Sequence, residues 1–230
     1  MLSLENISFR KRNELILQPL SGTVERGNSI TIFGPNGAGK STLMQIMAGL
    51  LKPTKGKRKT SFVRKNPIGY VPQQLALFDG LTVKDHLHFY QKLTKQRDEA
   101  FVQEMIDVLN LNEIMNKRIE KLSGGMKRKV NLAVGIIHQP EIIFLDEAFV
   151  GVDLAAKFDM LNWLKQLNER GTTIVFITHD WHVIHALAKE MWLLDEGVFI
   201  DHIQMDEIDT FKNKNKLSIP LQKMFDANRT

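Results

Sequence analysis

Cysteine is absent from the 230-residue sequence, which excludes disulfides and thiolate metal sites and fits a reducing cytosol. Long apolar runs are missing too. No window approaches the roughly 18 uninterrupted apolar residues that a membrane span needs. The richest stretch, residues 130–145, is broken by Asn131, His138, Gln139, Pro140 and Glu141. The first residues, Met1-Leu-Ser-Leu-Glu-Asn-Ile-Ser-Phe, have neither a basic start nor a continuous apolar core, so no signal peptide is expected. The chain is therefore expected to be soluble and to reach any membrane through a partner. Charge of one sign is also scarce: 31 basic against 26 acidic residues leave +5, which allows a nucleic-acid or anionic-membrane partner without demanding one. No internal repeat is visible. What remains is an ordinary globular composition, 43% apolar and 25% charged, long enough for one large domain or two small ones.

Apolar spacing divides the chain into strand-like and helix-like stretches. Residues 2–9, 15–24 and 29–33 read as short strands, with Arg26-Gly27-Asn28 as a turn. Leu43, Ile46, Met47 and Leu50 recur at helical spacing and predict a helix over 40–50. Residues 52–65 are basic and irregular, and Tyr70-Val71-Pro72-Gln73 reads as a strand ending. Two helical patterns, 82–93 and 97–111, make a helical insertion between strand-rich flanks, and a third helix follows Ser123. A strand at 142–145, a helix at 154–169, a strand at 172–178, a helix at 181–188 and strands near 191–194 and 198–202 complete the pattern. Strand and helix alternating on this scale argue for a parallel α/β sheet. After Asp206, Lys212-Asn-Lys-Asn-Lys216 reads as a solvated linker before a short amphipathic end.

Gly34-Pro35-Asn36-Gly37-Ala38-Gly39-Lys40-Ser41 satisfies every fixed position of G-x-x-x-x-G-K-[ST] and lies between an apolar strand and a helix, where that motif has to sit. Its glycines let successive backbone N–H groups converge on phosphate oxygens, and the following helix presents its positive end to the same anion. Lys40 can then reach the outer phosphates and Ser41 can hold Mg²⁺. A Gly-rich turn with a chance lysine is the bland alternative, and the complete match in its required setting argues against it. A second feature gains sense from this loop. Ile142-Ile143-Phe144-Leu145 runs straight into Asp146 and Glu147, two carboxylates at a strand end, where desolvation is costly. A Mg²⁺ at the phosphates needs an acidic partner there, which suits Asp146, while Glu147 can orient or deprotonate the attacking water. Without the loop, Asp146 reads equally well as a solvated or capping acid.

Leu122-Ser123-Gly124-Gly125-Met126 opens the third helix, with Ser123 a natural N-cap and two glycines leaving the helix's first N–H groups open to an anion. Alone, this is as well a plain capped helix. In combination, the sequence resembles the nucleotide-binding subunit of ATP-binding-cassette (ABC) transporters over nearly its whole length, most like the exporter branch. Residues 34–42, ending in Thr42, match the Walker A motif; 142–147 match Walker B; 122–126 match the signature loop. Gln73 is similar to the Q-loop glutamine, with Gln74 a second candidate, His179 to the switch histidine, and Gly151, Val152 and Asp153 to the D-loop.

The resemblance implies an α/β fold with a P-loop NTPase core and parallel sheet, an N-terminal antiparallel β subdomain and a helical insertion. It implies one domain over 1–230: core at 1–74 and 136–205, helical subdomain at 75–135, tail at 206–230. It implies ATP and Mg²⁺ as cofactors. ATP would be bound by Gly34, Pro35, Asn36, Gly37, Ala38, Gly39, Lys40, Ser41, Thr42 and Gln73, and the metal by Ser41, Gln73 and Asp146. Glu147 would be the catalytic base and His179 the γ-phosphate contact, while Ser123, Gly124 and Gly125 would meet the ATP of a facing subunit. The implied partners are a second ABC subunit (the same chain or a paired one) in a head-to-tail dimer and an integral membrane permease beside the Q-loop. No nucleic acid is expected. The implied location is cytoplasmic, peripheral at the inner face of the cell membrane.

Several departures from the family pattern carry expectations of their own. An aromatic residue is expected upstream to stack on adenine, yet Lys11 or Arg12 stands there, with Phe9 nearby. An arginine plane can substitute, so GTP is expected to be accepted as well. Seven basic residues between 52 and 65 read as a solvated strand face, with nucleic-acid or lipid-headgroup contact as the alternative. Met126 stands for the usual glutamine, and Ala148-Phe149-Val150 for Pro-Thr-Ser, which leaves the phosphate-binding residues intact and hydrolysis expected. The leading function is ATP hydrolysis that drives a separate membrane permease, in the export direction. The alternatives are a soluble single-cassette ABC ATPase in cofactor assembly or nucleic-acid maintenance, and a small-molecule phosphotransferase. The last leaves the signature loop and His179 unexplained.

Overall fold

Buried apolar residues interspersed with exposed ones along residues 2–24 start a small antiparallel sheet. β1 (Leu2–Lys11) turns its Leu2, Leu4 and Ile7 inward and pairs with β2 (Glu14–Val24). β3 (Ser29–Phe33) is different: all five residues are buried, the mark of a strand covered on both faces. The chain then enters α1 (Lys40–Ala48), which buries Leu43, Met44, Ile46 and Met47 and stops at Gly49 in the left-handed region. β4 (Lys55–Thr60) returns to the free edge of β1 and completes the sheet order β2-β1-β4. The stretch 52–65 thus holds a strand with an exposed face, as its run of basic residues suggested, although its spacing reads as irregular; pairing with β1 supplies the order. Arg58 in this strand donates from Nε to the Met47 carbonyl at 2.7 Å, placing a cation on the C-terminal end of α1. Lys59 pairs with Glu5 at the surface.

The computed structural model describes residues 1–95, 98–214 and 217–226, and the chain forms two compact units, 1–62 with 175–230, and 63–174. In the second unit, β5 (Ile68–Val71) runs parallel to the later β6 (Ile142–Asp146). Between them, among the described residues, lie three α-helices and two short 3-10 turns. α2 (Val83–Thr94) begins with a reciprocal capping box between Thr82 and Asp85. α3 (Glu99–Val108) is capped by Asp98; the expected start at Arg97 lies outside the described residues. α4 (Gly124–Ile136) follows Ser123, and after β6 comes α5 (Leu154–Glu169). Trp163 of α5 is fully buried against Phe101 of α3, with ring centroids 5.5 Å apart. Arg170 stands 5.7 Å above the Trp163 ring and forks onto Glu104 at 2.8 and 2.5 Å. Lys129 of α4 and Asp159 of α5 form a largely buried ion pair at 3.0 Å, and Asn110 donates to the same carboxylate at 3.0 Å.

β7 (Thr173–Ile177) carries the chain back into the first unit, where α6 (Trp181–Leu187) follows. β8 (Glu190–Asp195) pairs in parallel with β3 and antiparallel with β9 (Val198–Gln204). The expected parallel sheet is therefore a mixed one, because the Glu196-Gly197 turn folds β9 back along β8. Two helices close the described chain: α7 (Ile208–Lys214) and α8 (Ile219–Asp226). The first part of the expected linker, 212–214, is the last turn of α7, while residues 215–216 lie outside the described residues. α8 is the amphipathic end, with Leu221 and Phe225 buried.

Candidate functional site

The phosphate loop, in the first unit, is set by close backbone approach. A Cβ at Gly34 would lie 2.0 Å from the Leu194 carbonyl oxygen, so only glycine lets the loop leave β3 beside β8. Gly39 caps α1 at φ 92, a left-handed conformation that side chains resist. The β8–β9 turn braces the loop from behind. Gly197 donates its N–H to the Ala38 carbonyl at 3.2 Å, and its own carbonyl accepts from Gln18 of β2 at 2.8 Å. Lys40 is nearly buried, and its ammonium donates to the carbonyls of Gly34 and Pro35 at 2.7 and 2.8 Å. The cation thus lies folded over the loop itself. Asn36, Gly37 and Ser41 are exposed, Pro35 and Thr42 half-buried, and Ala38 buried beneath. Also in this unit, His179 is exposed on the turn between β7 and α6. Asp180 fixes that turn: its N–H donates to Thr178 Oγ1 at 3.2 Å, and its carboxylate caps α6 through the N–H groups of His182 and Val183. Lys11 and Arg12 fall at the β1–β2 turn, with Arg12 in the left-handed region.

The second unit holds the carboxylates. Asp146 ends β6 with only 6% of its surface exposed, and the Tyr70 hydroxyl donates to it at 3.3 Å. Glu147, the next residue, sits at φ 48, a conformation rare for a residue with a side chain, which re-aims its carboxylate away from the strand. Gln73 Nε2 donates to Glu147 Oε2 at 2.8 Å, so the structure brings these two predicted residues together. Arg128 of α4 holds the Gln73 carbonyl at 2.5 Å. Burial pulls the Arg128 guanidinium below its ordinary pKa, and the charge of Glu147 acts against that shift. Asn131, one turn further and almost fully buried, accepts from the Ala76 N–H at 2.9 Å and donates to the Pro72 carbonyl at 3.5 Å. α4 therefore grips residues 72–76 at three backbone atoms. Sequence reasoning missed Tyr70, Arg128 and Asn131; the one signal was that Arg128 and Asn131 fall three apart, on the same face of a predicted helix.

The signature residues open α4 in this same unit. Ser123 Oγ accepts from the Met126 N–H at 3.3 Å, the N-cap its sequence predicts. Gly124 is exposed, whereas Gly125 is buried where a Cβ would lie 2.3 Å from Asp153 Oδ2. Asp153 in turn caps α5 through the Ala156 N–H at 2.9 Å. The missing Cβ is what lets α4 start against the 151–153 loop. Of the unusual Ala148-Phe149-Val150 trio, the first two pack inward and Val150 is half exposed. The first unit thus gathers an anion cradle, a lysine and an imidazole. The second gathers two carboxylates, the amide that holds one of them, and a glycine-opened helix start. No helix among the described residues is long and apolar enough to cross a membrane.

The model of the ABC transporter family matches residues 17–150. The linearmycin resistance ATP-binding protein LnrL of Bacillus subtilis (strain 168) is 33% identical over 211 residues, which cover 87% of this chain and 68% of that protein. The zinc import ATP-binding protein ZnuC of Buchnera aphidicola subsp. Baizongia pistaciae is 35% identical over 199 residues, covering 86% of this chain and 82% of that one. Among solved structures, the dimeric post-hydrolysis state of the ATP-binding cassette MJ0796, bound to ADP and Pi, aligns with a TM-score of 0.77 at 26% identity, over 89% of this chain and 99% of that one. With a complete phosphate loop, a buried strand-end aspartate and a glutamate held by a neighbouring glutamine already in place, the conclusion is direct. The chain belongs to the ABC transporter family, as an ATP-binding subunit and ATPase.

Proposed function

We propose that this subunit closes head to tail with a second ABC subunit around two ATP molecules, and that closure drives a separate integral membrane permease in the export direction. The observation that carries the reading is the 2.8 Å contact between Gln73 and Glu147. It ties the proposed base to a segment that runs directly into exposed apolar surface. Leu75, Phe78 and Leu81 follow Gln73, and Phe89 and Leu93 of α2 are exposed as well. Large apolar side chains left in water mark interaction surfaces, and here three of them follow within eight residues of the one that touches the base.

In this reading the N–H groups of residues 34–42 and the Lys40 ammonium, released from the Gly34 and Pro35 carbonyls, bind the phosphates of ATP. Asp146 fits a hard divalent cation, being a carboxylate at a buried strand end, and Ser41 and Gln73 would complete the protein's share of Mg²⁺ ligands. When bound, that ion would neutralise phosphate charge. Glu147 takes the proton of the attacking water, with the Gln73 amide fixing one of its two oxygens. His179 contacts the γ-phosphate, and Ser123, Gly124 and Gly125 meet the nucleotide of the facing subunit. Arg12 at the β1–β2 turn offers a guanidinium plane to either purine, so side-by-side titrations should give similar affinities for ATP and GTP; a strong ATP preference contradicts this.

Likeness to a linearmycin resistance protein supports export, while the zinc import relative carries the opposite direction. Capture of the tagged full chain from detergent-solubilised membranes should bring down a polytopic protein. Phe78→Asp with Phe89→Asp should abolish that capture while ATP turnover in solution persists. Capture unaffected by the double substitution places the partner surface elsewhere. Deleting the chain in its host should sensitise cells to a toxic compound if it serves export, and create a nutrient requirement if it serves import.

A further inference from the structure

The C-terminal helix has no part in the chemistry above, yet it touches the chain neighbours of both phosphate-side elements in the first unit. α8 sends Phe225 against Phe33, with centroids 5.4 Å apart, and against Trp181 at 5.9 Å. Phe33 and Trp181 are themselves 5.1 Å apart, which closes a triangle of rings. Phe33 is the last residue before Gly34 of the phosphate loop. Trp181 lies two residues after His179. The indole also spends its one donor on α8: Trp181 Nε1–H reaches the Met224 carbonyl at 3.1 Å. On its far side Trp181 meets His185, one helical turn ahead, at 5.6 Å.

α6 spans seven residues, too few turns to hold its position by its own hydrogen bonds. Its place is set by its buried Val183, Ile184 and Leu187, and at its first residue by the ring triangle. The Asp180 cap links that first turn rigidly to the His179 bend. We propose that Trp181, clasped by the C-terminal helix α8, is the positioning residue for His179, so that the C-terminal segment sets the turnover rate without touching nucleotide. This rests on His179 contacting the γ-phosphate. α8 leaving its seat takes from Trp181 both its hydrogen-bond acceptor and one aromatic face. The turn bearing His179 then loses its fixed distance from the loop that begins at Phe33.

ATP turnover and nucleotide affinity of the full chain test this, with His179→Ala, Phe225→Ala, Trp181→Phe and the His179→Ala/Phe225→Ala double variant. Trp181→Phe keeps a ring and removes the N–H, while Phe225→Ala leaves Trp181 in place and removes what holds it. Phe225→Ala should lower kcat on the order of tenfold, as small misplacements at a reacting centre do, with the dissociation constant for ATP unchanged. Trp181→Phe should give a smaller fall in kcat. The double variant should turn over no more slowly than His179→Ala alone, because Phe225 acts through His179. Trp181 fluorescence, obtained as parent minus Trp181→Phe, should shift on ATP addition, since Trp163 and Trp192 lie in the core at 0% and 2% exposure. Parent kcat in Phe225→Ala beside a slow His179→Ala overturns the proposal, and so does an additive loss in the double variant. Parent kcat in His179→Ala overturns the site reading itself.

Discussion

Glu147 is the residue where conformation and chemistry meet. A left-handed backbone at a residue with a side chain costs of the order of 1–3 kcal/mol and survives only where neighbours enforce it. Here the buried end of β6 lies before it, Ala148 and Phe149 pack inward after it, and Gln73 holds its carboxylate. Glu147→Gln should keep ATP binding and slow hydrolysis by about a hundredfold or more, the usual share of a general base; a rapid-quench measurement of bound-ATP cleavage decides it. His138 offers a separate pH test. Burial holds its imidazole below the ordinary value of 6.5, against the opposing bond to the Ile68 carbonyl. Its folded-state pKa is depressed, so its contribution to stability is complete above pH 6.5 and fades as the pH falls below it, where the unfolded chain takes up the proton first. The melting temperature should therefore drop more steeply between pH 7 and 5 in the parent than in His138→Gln, and parallel curves contradict this. At this scale the sequence exposed the residues that belong to spaced motifs, such as Lys40, Ser41, Ser123 and Asp146. It hid Tyr70, because a tyrosine in a strand carries no spacing of its own.

At the scale of elements, α4 does two jobs at once. Its start abuts the D-loop through Gly125, and its next turn holds residues 72–76 through Arg128 and Asn131. Gly125→Ala forces a Cβ against Asp153 Oδ2, so a loss of about 1–3 kcal/mol is expected from overpacking, visible in denaturant unfolding together with weakened ATP-driven dimerisation. Asn131→Ala strips the Ala76 N–H of its acceptor, which costs roughly 1 kcal/mol of stability. Its larger effect should fall on kcat, because residues 72–76 include Gln73; a stability loss with turnover unchanged contradicts that link. Helices and buried strands were legible from their apolar period, and at Ser123 period and cap coincide. β4 was legible only as a charged, solvated strand face without bounds, since Lys-Gly-Lys-Arg-Lys-Thr has no apolar alternation and its limits come from pairing with β1. The tail misled for a related reason: Lys-Asn-Lys-Asn-Lys reads as linker by composition, yet residues 212–214 belong to α7.

At the scale of the whole molecule, the phosphate loop and His179 belong to one compact unit, and Asp146, Glu147 and residues 122–126 to the other. On the proposed reading, the helix start at Ser123, Gly124 and Gly125 is a second anion site, and that gives the chain a use for a facing subunit. The solved MJ0796 cassette is dimeric in its ADP and Pi state, and this chain aligns with nearly all of it. Light scattering on the Glu147→Gln chain, with and without ATP, asks the question directly. A mass near one chain without nucleotide and near two chains with ATP is the predicted result. A mass of one chain with ATP demonstrably bound would contradict closure of two copies around nucleotide.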